Sequence, residues 1–80
     1  MVIAGALIET KPGAQARVAD RLIHLPWVAL QGDDGDRRLA VVLEGPSGAS
    51  LEGLTERLLA FDEEILGVFP TFVGEEDDSG

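Results

Sequence analysis

The sequence contains no cysteine, one histidine and only six basic residues against fifteen acidic ones. Without cysteine the chain can form neither a disulfide nor a thiolate metal site, and one histidine allows no His–His metal pair and no Cys–His dyad. The net charge of −9 disfavours nucleic-acid binding, because such a field repels phosphate backbones. It suits a cationic partner, although acidity that serves only solubility fits the composition equally well.

No apolar run is long enough to cross a bilayer, and the first residues lack the basic n-region of a secretory signal. We therefore expect a cytoplasmic protein without membrane insertion. One domain is predicted over residues 1–74, and in a chain of 80 residues without cysteine its stability must come from packing. Residues 75–80 carry four acids and no apolar anchor, which predicts a disordered acidic tail.

Apolar spacing predicts six secondary-structure elements in the order βαββαβ. Short apolar or alternating runs indicate strands, and apolar residues repeated every three or four positions indicate helices. Pro70 has no backbone N–H, so its strand cannot form complete hydrogen-bond ladders with a neighbour on each side. The last strand should therefore lie at a sheet edge. The predicted elements are strand 2–8, helix 13–24, strands 27–31 and 37–44, a helix that starts at a Ser47 or Ser50 cap and carries Leu51, Leu54, Leu58 and Phe61, and strand 67–73.

The two halves of the sequence resemble each other at an offset of about 35 residues. Residues 7–9 (Leu-Ile-Glu) match residues 42–44 (Val-Leu-Glu), and residues 22–28 match residues 58–68 once an insertion is allowed between helix and strand. Two βαβ halves of this kind predict an α+β, ferredoxin-like sandwich. Its four-stranded antiparallel sheet has the order 4-1-3-2, with both helices on one face. The fourth strand is then at an edge, as Pro70 requires.

Motifs for catalysis or metal binding are missing from the sequence. His24 is interpreted as a charge at the end of the first helix or as a packed ring. The acidic segment 32–36 lacks the frame and the terminal glutamate of a calcium loop, so it is interpreted as a hairpin turn. No Gly-Lys-Ser/Thr follows the loop at 45–48, and Glu63 and Glu64 are interpreted as solvated. We therefore predict neither an enzyme nor a cofactor.

One face of the predicted sheet is not covered by helices, yet its residues are apolar where polar ones are expected. A patch of this kind, ringed by Glu9, Arg38 and Glu44, predicts an interaction surface. An amphipathic basic helix fits it, and so does a second copy of the domain, as a homodimer. The prediction turns Ala4, Ala6, Ile8, Val28, Leu39, Val41, Leu43, Val68 and Phe72 toward the helices, and Ile3, Gly5, Leu7, Trp27, Ala29, Ala40, Val42, Phe69 and Val73 toward the open face.

Several segments together resemble the NapD family, the small cytoplasmic chaperones of periplasmic nitrate reductase. The resemblance covers nearly the whole chain and is one of pattern. Its segments are Ala-Leu-Ile-Glu-Thr-Lys-Pro at 6–12, Leu-Pro-Trp-Val at 25–28, Leu-Ala-Val-Val-Leu-Glu-Gly at 39–45, the Leu-rich second helix, and Gly-Val-Phe-Pro-Thr-Phe-Val at 67–73 before the acidic tail. This sequence departs from the family at Trp27, at Phe72-Val73 and in the longer junction 61–67.

The resemblance implies that the protein binds the twin-arginine signal peptide of a molybdenum-dependent nitrate reductase catalytic subunit and delays export until the cofactor is inserted. The arginines would pair with carboxylates such as Glu9 and Glu44, and the apolar stretch would lie on Leu7, Val42 and Phe69 of the open face. The implied peptide-binding residues are Leu7, Glu9, Ala40, Val42, Glu44, Phe69 and Thr71. An ACT-like domain that senses a small molecule or dimerises through its sheet has the same fold and stays the alternative. Acylphosphatase, which also has this fold, needs an asparagine that the chain lacks.

Overall fold

The elements follow the predicted order in a computed structural model that describes residues 1–46 and 50–75. Most of their boundaries lie within two residues of the predicted ones. β4 is longer than predicted: it begins at residue 65 and includes Glu75, which the prediction placed in the tail. The rest of the predicted tail and the alternative cap Ser47 lie outside the described residues. The elements are β1 (Val2–Thr10), α1 (Gln15–Leu22), β2 (Val28–Asp33), β3 (Arg38–Gly45), α2 (Leu51–Phe61) and β4 (Ile65–Glu75).

The sheet has four strands in the order β2-β3-β1-β4, and all neighbouring strands are antiparallel. This is the predicted order 4-1-3-2, and the ferredoxin-like α+β arrangement is confirmed. β4 lies at an edge, as Pro70 required, because an edge strand has one side on which a missing N–H breaks no ladder bond. The two central strands, β1 and β3, come from equivalent positions in the two sequence halves.

The core lies between the helices and one face of the sheet. Every second residue of β1 and β3 contributes to it, as the alternation of a strand requires. Burial of these side chains is the main source of stability in a domain without disulfides. The fully buried members include Ala4 and Ile8 of β1, Val18 and Leu22 of α1, Leu43 of β3 and Leu58 of α2.

The start of α2 is fixed by Ser50, whose Oγ accepts a hydrogen bond from the backbone N–H of Gly53 at 3.0 Å. Such a cap satisfies one of the N–H groups that have no partner within the helix. Leu54 and Leu58 then point into the core, and Leu51 packs against it. The predicted cap and the apolar stripe are therefore confirmed for these residues, whereas Phe61, the fourth predicted member of the stripe, is exposed.

Ion pairs join α1 to the junction between α2 and β4. Arg17 makes two bonds to Glu64, Nη2–Oε2 at 2.7 Å and Nε–Oε1 at 3.2 Å. Arg21 Nη1 lies 2.7 Å from Oδ2 of the buried Asp62 and 3.2 Å from Oε1 of Glu64. The interpretation of Glu64 as solvated is wrong: its side chain is 19% exposed, and its pKa is lowered, chiefly by the hydrogen bond from Arg17. Glu63 is exposed, as predicted.

The hairpin between β2 and β3 is closed by the carboxylate of Asp34. Its Oδ1 accepts the backbone N–H groups of Asp36, Arg37 and Arg38 at 2.9, 3.1 and 3.0 Å. These bonds favour the charged carboxylate and lower its pKa, with the Arg38 N–H as the largest cause. Gly35 supplies the positive φ, 74°, that the turn needs. The acidic segment is therefore a hairpin turn, as predicted.

The open face of the sheet as candidate functional site

The open face of the sheet carries four cross-strand rows of residues. Its two central rows are uncharged, and on β2, β3 and β1 they hold only small residues or single aliphatic ones. On β4 both central rows end in a phenylalanine. The side chains of the open face are therefore short on β2, β3 and β1, and aromatic rings project from it along β4. The central rows are Ala29, Val42, Gly5 and Phe72, and Gly32, Ala40, Leu7 and Phe69; the outer rows are Glu44, Ile3 and Gly74, and Arg38, Glu9 and Gly67.

Both phenylalanine rings lie against glycines. A Cβ atom added to Gly5 would overlap the ring of Phe72, and one added to Gly67 would lie 3.0 Å from Cζ of Phe69. The rings are therefore placed by the absence of side chains beneath them, and they still expose 54% (Phe69) and 55% (Phe72) of their surface. Exposed aromatic rings on an uncovered sheet are typical of interaction surfaces.

Phe72 reaches the open face because β4 contains an irregularity. Ala6 pairs with Pro70 and Gly5 pairs with Phe72, so Thr71 is skipped and the alternation of faces shifts by one residue. The prediction that Phe72 faces the helices and Val73 the open face is therefore wrong, because the two residues have exchanged sides. A glycine inside an otherwise bulky strand often marks a close approach of another group, and Gly5 was the signal that could have identified this contact.

Trp27 also departs from the prediction that placed it on the open face. Its backbone carbonyl accepts the N–H of Glu44 at 2.9 Å, next to the start of β2. The side chain packs against the core, and the guanidinium carbon of Arg57 in α2 lies 4.4 Å from the ring centroid. Contact with the core and with an arginine holds the ring on the helix side, because both interactions would be lost on the open face.

The charged residues lie at opposite ends of the face. Glu9 pairs with Arg38 across the strands, with Oε1 3.7 Å from Nε. Glu44 lies opposite Ile3, which precedes Glu9 by six positions along β1, so the Cα atoms of the two acidic residues are separated by roughly 20 Å. The two carboxylates therefore offer separate contact points for a cationic ligand. The pairing of the arginines with carboxylates such as Glu9 and Glu44 stays a prediction.

Each end of the sheet also has a groove. The groove near the hairpin measures about 420 Å³ and is lined by Leu7, Gln31, Gly32, Asp33, Asp34, Arg38 and Ala40. The other, which we call the Glu44 groove, measures about 360 Å³ and is lined by Met1, Pro26, Trp27, Glu44, Gly45 and Pro46. The first groove has both apolar residues of the open face and polar side chains in its lining. The Glu44 groove has the ring of Trp27 and the carboxylate of Glu44 in its lining.

The residues implied by the family resemblance are mostly brought together. Leu7, Ala40, Val42 and Phe69 lie in the two central rows, and Glu9 and Glu44 lie in the outer rows. Thr71 is the residue that β4 skips in its pairing with β1, and it is exposed. Phe72 lies in a central row of the open face, and Gln31 lines the groove near the hairpin. Neither residue was among those implied by the resemblance.

His24 is exposed just beyond the end of α1, so the packed-ring alternative is wrong. Among residues 1–46 and 50–75, no group of three or more His, Asp or Glu residues is arranged to hold a metal ion. Within the same residues, neither helix has the length and hydropathy needed to span a membrane.

Comparison of the chain with protein-family models, with curated proteins and with solved structures found no match.

Proposed function

We propose that this domain is a cytoplasmic chaperone that binds the twin-arginine signal peptide of a molybdenum-dependent nitrate reductase catalytic subunit, and so delays export until the cofactor is inserted. The observation that carries the proposal is the open face itself. Two uncharged rows, which end in the exposed rings of Phe69 and Phe72, remain uncovered in the described part of a strongly acidic chain. No enzymatic step is required of such a protein.

The chemistry of a twin-arginine signal peptide suits this surface. Such a peptide combines a cationic n-region with an apolar stretch, which is the pattern of a segment that docks on an apolar surface with acidic surroundings. The apolar stretch would lie on Leu7, Val42 and the two phenylalanine rings. The cationic n-region would approach a domain whose net charge is −9, and this field would accelerate the encounter.

Calorimetric titration tests the proposal directly. The domain is titrated with a synthetic twin-arginine signal peptide from a molybdoenzyme precursor, and with controls in which Lys-Lys or Ala-Ala replaces the arginine pair. We expect micromolar or tighter binding that weakens as salt rises and as the arginines are removed. Absence of binding by a folded, monomeric domain would refute the proposal. Absence of binding by a domain that sediments as a dimer would favour the second-copy alternative.

Substitution of Val42 by glutamate provides the matching variant. Val42 lies between Ala29 and Gly5 in a central row and is only half-buried, so a charge there can reach solvent without entering the core. We expect Val42→Glu to weaken peptide binding by at least tenfold and to change the stability by less than about 1.5 kcal/mol. The control is Ala60→Glu, which adds the same charge at an exposed position of α2 and should leave affinity unchanged. Unfolding of Val42→Glu would contradict the assignment of faces.

A further inference from the structure

The two acidic ends of the open face differ in how free their carboxylates are. Glu9 is paired with Arg38 and its side chain is 29% exposed, so a cationic ligand would have to displace an existing partner. Glu44 is exposed, and no ion pair within the described part of the chain involves it. A positive group that binds this face therefore gains more at the Glu44 end than at the Glu9 end.

The Glu44 groove also has the lining that a guanidinium group favours. Trp27 forms part of its lining together with Pro26 and Pro46, and the guanidinium of Arg57 lies over one face of the ring and helps to hold it in place. An arginine is planar, so it can stack on an indole while it donates two parallel hydrogen bonds to a carboxylate. A lysine ammonium offers neither the stacking nor the paired bonds. The groove volume, about 360 Å³, is ample for one such side chain.

We infer that the Glu44 groove receives an arginine side chain of the bound peptide and thereby fixes the direction of the peptide on the open face. This inference rests on the proposed function and adds the orientation to it. The cationic n-region lies at the Glu44 end, beside Trp27. The apolar stretch then runs over the central rows toward Leu7, Phe69 and the hairpin between β2 and β3.

Two charge-neutralising variants form a matched pair for the test. Glu44→Gln should weaken binding of the twin-arginine peptide on the order of fivefold, because a charge-assisted bond to arginine is lost. Glu9→Gln removes the same charge from the same chain and should change affinity by less than about twofold. With the Ala-Ala peptide the difference between the wild-type protein and Glu44→Gln should disappear, since the partner of Glu44 is then missing.

The direction can be read from Trp27, because it is the only tryptophan in the chain and its indole N–H gives a single resonance. A nitroxide at the n-region end of the peptide should broaden that resonance in the complex. A nitroxide at the opposite end should instead broaden the backbone resonances of Gly32 and Asp33 at the hairpin. Reduction of each nitroxide restores the signals and serves as the internal control.

The outcomes separate the two claims. If the wild-type domain binds no signal peptide in calorimetry, the proposed function fails and the inference fails with it. If the peptide binds but Glu9→Gln weakens it as much as Glu44→Gln does, or the n-region label broadens the hairpin and spares Trp27, the inference alone is overturned. Selective loss in Glu44→Gln together with broadening of the Trp27 indole supports it.

Discussion

The two edge strands, β2 and β4, occupy equivalent places in the two halves of the molecule and share one irregularity. Between Leu30 and Gly32, β2 skips Gln31 in its pairing with β3. Between Pro70 and Phe72, β4 skips Thr71 in its pairing with β1. Because these positions correspond when Val28 is aligned with Val68, the repeat is carried by the backbone as well as by the sequence. The side chains are where the two strands differ.

The difference is clearest in one pair of cross-strand contacts. Gly5 of β1 lies opposite Phe72, and at the equivalent place in the other half Ala40 of β3 lies opposite Gly32. The large Phe72 on the edge strand is thus paired with a glycine on the central strand, whereas Gly32 on the other edge strand is paired with an alanine on its central strand. The same backbone arrangement therefore carries aromatic rings along β4 and only small side chains at the matching places of β2. The asymmetry of the open face comes from side chains alone.

The largest predicted effects test whether the two halves contribute equally to stability through the sheet face that packs against the helices. Ile8 and Leu43 occupy matching places in β1 and β3, and both are fully buried. We expect Ile8→Ala and Leu43→Ala each to lower the free energy of unfolding by about 3 kcal/mol, as measured by urea denaturation. Leu59→Ala, at a position 44% exposed in α2, should cost much less. A large disparity between the two core variants would show that the halves contribute unequally.

The next prediction exchanges the contact that distinguishes the halves. Gly5→Val places a side chain where the Phe72 ring lies, so the ring must move away, and we expect a loss of about 1–2 kcal/mol of stability. Peptide affinity should fall with it, since the ring leaves the open face. Ala40→Val is the matched control, because Ala40 lies opposite Gly32, which has no side chain. Circular dichroism and calorimetry give both quantities; an unperturbed Phe72 resonance in Gly5→Val would rule out the contact.

Truncation of the rings tests the aromatic side of the face. Phe69→Ala and Phe72→Ala should each reduce the free energy of peptide binding by about 1 kcal/mol, roughly fivefold in Kd. Their stability should change little, since both rings are more than half exposed. At the equivalent places in β2, Ala29→Ser and Gly32→Ser should leave affinity almost unchanged. Equal losses on both strands would mean that the peptide uses the whole face symmetrically.

The smallest effect concerns the two helix-to-strand junctions. Between α2 and β4 the pKa of Glu64 is held below its ordinary value of 4.5, first by the hydrogen bond from Arg17, whereas residues 23–27 between α1 and β2 contain no acid. A depressed carboxyl pKa stabilises the fold above about pH 4.5, and this contribution is lost as the pH falls through the lower folded-state value.

Glu64→Gln should therefore flatten the fall in thermal stability between pH 5 and pH 3, in the range where carboxyl groups titrate. Glu63→Gln, at the exposed neighbouring position, is the control and should leave the profile unchanged. Identical pH profiles for the wild-type protein and Glu64→Gln would contradict a stabilising role for the ion pairs of α1 with this junction.

The features of this structure that depend on residues close together in the sequence could be predicted. The helical stripe at Leu54 and Leu58, the cap at Ser50 and the edge position of Pro70 each follow from the residue itself and its near neighbours. The faces of β1 and β3 follow from plain alternation. These features together with the internal repeat were sufficient to obtain the strand order.

The remaining parts depend on contacts between distant residues or on a single skipped residue. Alternation cannot reveal that β4 skips Thr71, and this skip exchanged the faces of Phe72 and Val73. The pairing of Arg17 with Glu64 joins residues far apart in the chain and has no local signature. Trp27 precedes β2, and its contacts with the core and with Arg57 place its side chain, not the alternation of the strand that follows. The family resemblance itself remains a prediction.

Pro70 has a further consequence, which concerns self-assembly. A long edge strand with exposed aromatic residues is a surface on which another chain can add a strand and begin an aggregate. Proline offers no N–H to an incoming strand, and the skipped residue beside it breaks the regular spacing that a new ladder needs. The skipped residue that turns Phe72 toward the open face thus acts together with Pro70 to keep β4 from extending into a fibre.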